Sequence, residues 1–180
     1  MNKAGTLGPG ILVLLAALAA AAIPRASLGG DTPARRIDWA TLLPAGEREH
    51  YNPTPPPPVH DYLGEGDLAA LQTGSAAVNA ELDGQRVTIP GFVVPLERGA
   101  DGLLAEFFLV PYFGACIHVP PPPPNQIVYV RMRAGAGLKS IEDAQWVTGR
   151  LHATMRSTEL GAAAYTLDGE RLEPYTLRSN

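Results

Sequence analysis

From residue 82 onward the apolar positions of this chain fall into short alternating or clustered runs separated by turn residues, the pattern of a β protein. The run 85–96 carries Val87, Ile89, Phe92, Val93 and Val94 after the turn pair Asp83-Gly84, and Pro90-Gly91 interrupts it as a bulge or bend. A second strand, 105–110, is short and almost wholly apolar and follows Asp101-Gly102. A third, 127–133, sets Ile127, Tyr129 and Arg131 on one face and Val128, Val130 and Met132 on the other, the second being the core face. A fourth runs from Gln145 to about Thr154, and a closing hairpin, 163–167 with 171–177, is expected to turn at Asp168-Gly169. Five or six strands with a glycine kink in the first predict a mainly β fold, a small OB-like barrel, with a β-sandwich as the alternative.

The first 81 residues read differently. Lys3, an apolar stretch over 11–23 and the break Pro24-Arg25-Ala26-Ser27 have the outline of a secretory signal peptide, with cleavage expected between residues 22 and 30. The stretch is shorter than the roughly 20 residues a spanning helix needs. No cysteine lies at that junction to carry a lipid anchor, so the expected product is soluble, periplasmic or secreted, with no stable membrane insertion. Residues 31–81 form an extended Pro-rich lead-in with short helices. One helix is expected over 37–43, ended by Pro44, with Trp39, Leu42 and Leu43 as its apolar face; another over 66–80, capped by Asp67 or Ser75. The Pro-rich run 52–58 lies between them as a polyproline strap. The expected organisation is a leader over 1–30, the lead-in over 31–81 and a barrel-like domain over 82–180.

The whole chain has a formal net charge of −4, and losing Lys3 and Arg25 with the leader makes the remainder more acidic. With no cluster of Lys and Arg, nucleic acid is not an expected partner.

Most of the chemistry sits in YFGACIHVPPPPPNQ, residues 112–126. It holds the only cysteine of the chain, two residues from His118 and just before the pentaproline Pro120–Pro124. Five residues without an N–H cannot occupy a central strand, so the segment is expected to be a stiff, exposed excursion between the second and third strands. A lone cysteine in an exported chain has no disulfide partner. Two readings stay open for Cys116, a core-filling side chain and a site in a loop.

The segments DGQRVTIPGFVVPLE (83–97), FFLVPYFGACIHVPPPPPNQ (107–126), WVTGRL (146–151) and LEPY (172–175) resemble the DUF3299 family of exported bacterial proteins. The resemblance covers 82–175, and the lead-in lies outside it. It implies an exported protein with the β part as one unit, in the company of metal-linked transport systems, and it brings no assigned activity.

Two classes of function follow. In the first, Cys116 and His118, with His152, His60 or His50 as a third ligand, bind or deliver zinc or copper; both ions accept thiolate and imidazole. In the second, Tyr112, Phe113, Pro120, Pro122, Asn125 and Gln126 present a preformed surface to an envelope or transport protein, without metal. Catalysis is the less supported class. The chain has no Gly-x-Ser-x-Gly, His-Glu-x-x-His, P-loop or dinucleotide fingerprint, and a base two residues from Cys116 has poor geometry for activating it.

Overall fold

The structure, a computed structural model, describes residues 1, 33–55, 72–117 and 119–176. The chain divides into two units, Met1–Asp31 and Thr32–Asn180, and apart from Met1 all the described residues belong to the second. The expected leader and most of the Pro-rich strap lie outside the described residues. Among the described residues no helix is long and apolar enough to cross a membrane.

Among the described residues eight strands form, in chain order β1 (Arg35–Arg36), β2 (Arg86–Arg98), β3 (Leu104–Val110), β4 (Val128–Ala136), β5 (Gln145–His152), β6 (Arg156–Thr158), β7 (Gly161–Ala163) and β8 (Tyr165–Pro174). Hydrogen bonding runs β2-β3-β4-β8-β5 and returns to β2, which closes a five-stranded barrel. Every pairing in it is antiparallel except β4 with β8, the arrangement of an OB barrel.

Closure depends on β2 serving two partners. Its first half pairs with β5 as far as Gly91↔Gln145, and its second half pairs with β3 from Phe92↔Val110 onward. Gly91 stands at the changeover because there is no room for a side chain. A Cβ there would lie 2.7 Å from the carbonyl oxygen of Val110 and 2.9 Å from the Trp39 ring. The kink read from Pro90-Gly91 is thus the corner of the barrel.

The last hairpin differs from expectation. β8 runs unbroken through Asp168-Gly169, and the tight hairpin is β6 with β7. Gly169 is a close-approach glycine, since a Cβ on it would run into the sulfur of Met132. Local turn chemistry was outweighed by packing across the parallel β4–β8 pair.

Two apolar clusters flank the sheet. Inside the barrel, Val87, Ile89, Val93, Phe107, Leu109, Val128, Val130, Met132, Val147, Leu151 and Leu167 pack with Trp39, Leu42 and Leu82 from the lead-in. Outside it, Val94, Phe108, Val110, Ile127 and Tyr129 are covered by Ala115, Cys116 and Val119 of the β3–β4 connection and by Ala163 of β7. Phe107 and Phe108 are both fully buried, on opposite faces. This is why the second strand is almost wholly apolar. The core face expected for β4 is the inner one; of the outer three, Arg131 alone is exposed.

The lead-in belongs to the same compact unit as the barrel, Thr32–Asn180. β1 pairs in parallel with β2 through Arg35↔Val87 and Arg36↔Thr88. The Trp39 indole donates to the Pro90 carbonyl at 2.8 Å. The buried Tyr165 hydroxyl donates to the Leu42 carbonyl at 2.6 Å and accepts from the Asn79 N–H at 2.6 Å. The helix expected over 37–43 is a single 3-10 turn, Ala40–Leu42, and after Pro44 comes α1 (Ala45–Arg48). Of the second expected helix, 66–71 lies outside the described residues, Asp67 among them. Residues 72–79 are not helical, and Asn79 rather than Ser75 caps a 3-10 turn, Ala80–Leu82, by accepting the Glu81 N–H at 3.2 Å.

Candidate functional site

The connection between β3 and β4, residues 111–127, folds back on the outside of the barrel. Cys116 has left-handed backbone geometry, φ 64°, rare for a residue with a side chain. The reversal is held by Cys116 N–H donating to the Val119 carbonyl at 3.1 Å and Val119 N–H donating to the Gly114 carbonyl at 3.2 Å. It turns the thiol inward. Cys116 is 1 % exposed among apolar neighbours, and burial pushes its pKa up to about 12. Of the two sequence readings, the structure bears out burial. Phe113 and Ile117, on either side, are exposed, and the Phe113 ring lies 6.0 Å from that of Phe92.

Of the expected metal ligands, Cys116, His152 and His50 fall within the described residues. The His152 ring sits between two carboxylates, Nδ1 3.9 Å from Asp83 and Nε2 3.7 Å from Asp168. His118 and His60 lie outside the described residues. Among the described residues no group of three His, Cys, Asp or Glu side chains could hold a metal ion.

The proline run is not the exposed excursion expected. Pro121 and Pro122 are buried, and the lead-in packs against the run. Burial is tolerable because the run has no N–H to satisfy and its carbonyls find donors. Gln72 Nε2 donates to the Pro122 carbonyl at 2.9 Å, Gln126 N–H to that of Pro123 at 2.8 Å, and Ala164 N–H to that of Pro124 at 2.7 Å.

Between the proline run and the lead-in lies a cavity of about 650 Å³. Five of the six residues expected to meet a partner line it, namely Tyr112, Pro120, Pro122, Asn125 and Gln126; Phe113 does not. The opposite wall is Glu47, His50, Tyr51 and Asn52–Thr54, with Gly46 and Ser75. Ser75 Oγ donates to Glu47 Oε1 at 2.7 Å, and Asn125 Nδ2 donates to Glu47 Oε2 at 3.0 Å, so both walls are tied together through one carboxylate. Gln126, 5 % exposed, donates through Nε2 to the carbonyls of Trp39 and Asn125, and its Oε1 has no partner. Burial raises the Tyr112 pKa to about 12, so its hydroxyl stays protonated.

Sequence reasoning missed the Glu47, Tyr51 and Ser75 side of this cavity. The only pointer was the second proline-rich run, beginning at Pro53, which puts a stiff segment beside Tyr51.

A closed five-stranded barrel whose β3–β4 connection and N-terminal arm line a proline-walled cavity defines the class: an OB-like barrel protein. Within that class the chain belongs to the DUF3299 family, a family of proteins of unknown function, whose model matches residues 39–174. That match starts at Trp39 and takes in the lead-in that the sequence resemblance left out. The chain is also similar to the crystal structure of a DUF3299 family protein from Pseudomonas aeruginosa PAO1, with 38 % sequence identity and a TM-score of 0.67 over 82 % of this chain and 100 % of that one. Comparison with curated proteins finds no match.

Proposed function

We propose that this chain is an exported, non-catalytic binding module of the cell envelope, and that the proline-walled cavity receives an extended segment of a protein partner. The observation that carries this reading is the convergence of Tyr112, Pro120, Pro122, Asn125 and Gln126 with Tyr51 and Glu47 on one cavity. Its volume lies inside the range of roughly 300–1,000 Å³ usual for binding pockets. Six prolines and two tyrosines are among the lining residues. Proline and tyrosine lose little conformational freedom on contact, which lowers the entropic cost of association. An OB-like barrel supplies a rigid base, and fold alone would leave the function open.

The test is site-specific photo-crosslinking in the intact envelope of the native host. A benzophenone side chain is placed at Tyr112 or at Pro53 on the opposite wall, with the exposed Ile141 as control. One protein adduct common to both cavity positions and missing from the control is the expected result. Equal labelling at Ile141, or no protein adduct from either wall, contradicts the proposal.

A further inference from the structure

A second recess, of about 620 Å³, lies on the outer face of the barrel where β1, β2, β5 and β8 run side by side, and it shares no lining residue with the proline-walled cavity. The pairing register sets Arg36, Thr88, Thr148 and Arg171 in one row across these four strands, and all four line the recess. The ends of the row are about 14 Å apart at about 4.8 Å per strand, a gap that two long arginine side chains can close from opposite sides. Between them Thr88 Oγ1 lies 2.9 Å from Thr148 Oγ1, so one hydroxyl of the pair donates to the other and the second keeps its hydrogen for a further acceptor. Thr88 is the partly exposed member; Thr148 is 1 % exposed.

The guanidiniums differ in how they are held. Arg36 is exposed, has no ion pair among the described residues, and lies 5.0 Å from the centre of the Trp146 ring, a contact that steadies it over the sheet without neutralising it. Arg171 Nε is 3.9 Å from Glu173, but both side chains are more than half exposed, which makes that pair weak. Arg86 is a third guanidinium in the lining, braced through Nε by Glu170 at 2.9 Å. Among the described lining residues three guanidiniums stand against one carboxylate, Glu173, in a chain whose formal net charge is −4. The three are far apart in sequence and are gathered only by strand pairing, so no basic run marks them.

We propose that this recess is an anion site that binds a phosphate group between Arg36 and Arg171, with Arg86 adding charge and Thr88 donating from the floor. A carboxylate presents two oxygens in one plane, which a single guanidinium fork satisfies. A phosphate group directs its oxygens to several sides and carries more negative charge, so donors converging from opposite ends of a row suit it better.

The test titrates the full mature chain with inorganic phosphate and with acetate at constant ionic strength, followed by NMR at the backbone amides of Thr88 and Thr148 and the indole N–H of Trp146. Phosphate should shift these signals saturably, and acetate should bind at least tenfold more weakly. Arg36→Gln and Arg171→Gln, both at exposed positions, should each weaken phosphate by about tenfold, the change expected for loss of one charge-assisted contact, with the thermal midpoint unchanged. Arg98→Gln, at an exposed position outside the lining, should leave the affinity as it was. Cosedimentation with vesicles of phosphatidylcholine and phosphatidic acid separates the sources of the group. Sedimentation that is lost in Arg36→Gln assigns it to a lipid headgroup, and phosphate binding without sedimentation assigns it to a soluble ligand. No saturable phosphate shift, acetate binding as tightly as phosphate, or an affinity unaltered by both Arg36→Gln and Arg171→Gln overturns the proposal.

Discussion

The side-chain nitrogen of Gln126 donates to the carbonyl oxygen of Trp39 at 3.1 Å, joining residues 87 positions apart. One end of this amide holds the lead-in against the barrel, and the other end, Oε1, is a buried acceptor without a donor among the described residues. Gln126→Leu removes both. It leaves the Trp39 carbonyl without this donor, and the expected loss is about 1–3 kcal/mol in denaturant unfolding. A variant as stable as the wild type would show that the lead-in is held without this bond.

Tyr165→Phe probes the second tie. The hydroxyl both donates to Leu42 and accepts from Asn79, 123 and 86 residues away. Removing it should destabilise the fold by about 1–3 kcal/mol while the ring still fills the core. Hydrogen exchange should show faster opening around residues 40–43 and 79. Uniform protection in wild type and variant would contradict this.

Gly91→Ala tests the barrel corner. The added methyl meets the Val110 carbonyl and the Trp39 ring well inside contact distance. Overpacking against backbone is expected to cost about 3 kcal/mol or to prevent folding. Thermal unfolding decides it, with Gly137→Ala, whose Cβ position is open, as the tolerated control.

The fold was legible where packing and local pattern agree. β2, β3, β4 and β5 were placed within a few residues because their apolar runs and bounding turns point the same way. Asp168-Gly169 misled for a physical reason. A glycine needed for close approach to Met132 looks in sequence like a turn glycine. The site was half legible. Tyr112 and Asn125 stood out because prolines adjoin them, and Gln126 because it closes the same segment, whereas Glu47 and Ser75 acquire meaning only when the lead-in folds over the proline run. The inward turn of Cys116 depends on a left-handed residue that no local pattern marks.

Burial of Cys116 makes stability depend on alkaline pH. The unfolded thiol ionises near 9.0, and the folded one holds its proton until about 12. Between those values the unfolded state carries fewer protons, so stability falls as pH rises, by up to about 1.4 kcal/mol per pH unit. Tyr112 shifts in the same direction and adds to the loss above pH 10. Cys116→Ala should be less stable at pH 7 but show a shallower decline above pH 9. A thiol reagent should leave the native protein unlabelled at pH 8 and label it fully after denaturation. Rapid native labelling would place the thiol in solvent.

The central claim is that the cavity itself is where a partner binds, and plugging it is the most direct test. Gly46 lines the cavity, and a Cβ added there meets nothing within 4 Å, so Gly46→Trp can fill the space without disturbing the core. The measurement is the yield of the photo-crosslinked adduct from Tyr112 in the plugged and unplugged chains, together with their thermal midpoints. The account predicts that the adduct disappears in Gly46→Trp while the midpoint stays within a few degrees of the parent. An undiminished adduct in a folded Gly46→Trp chain would contradict it.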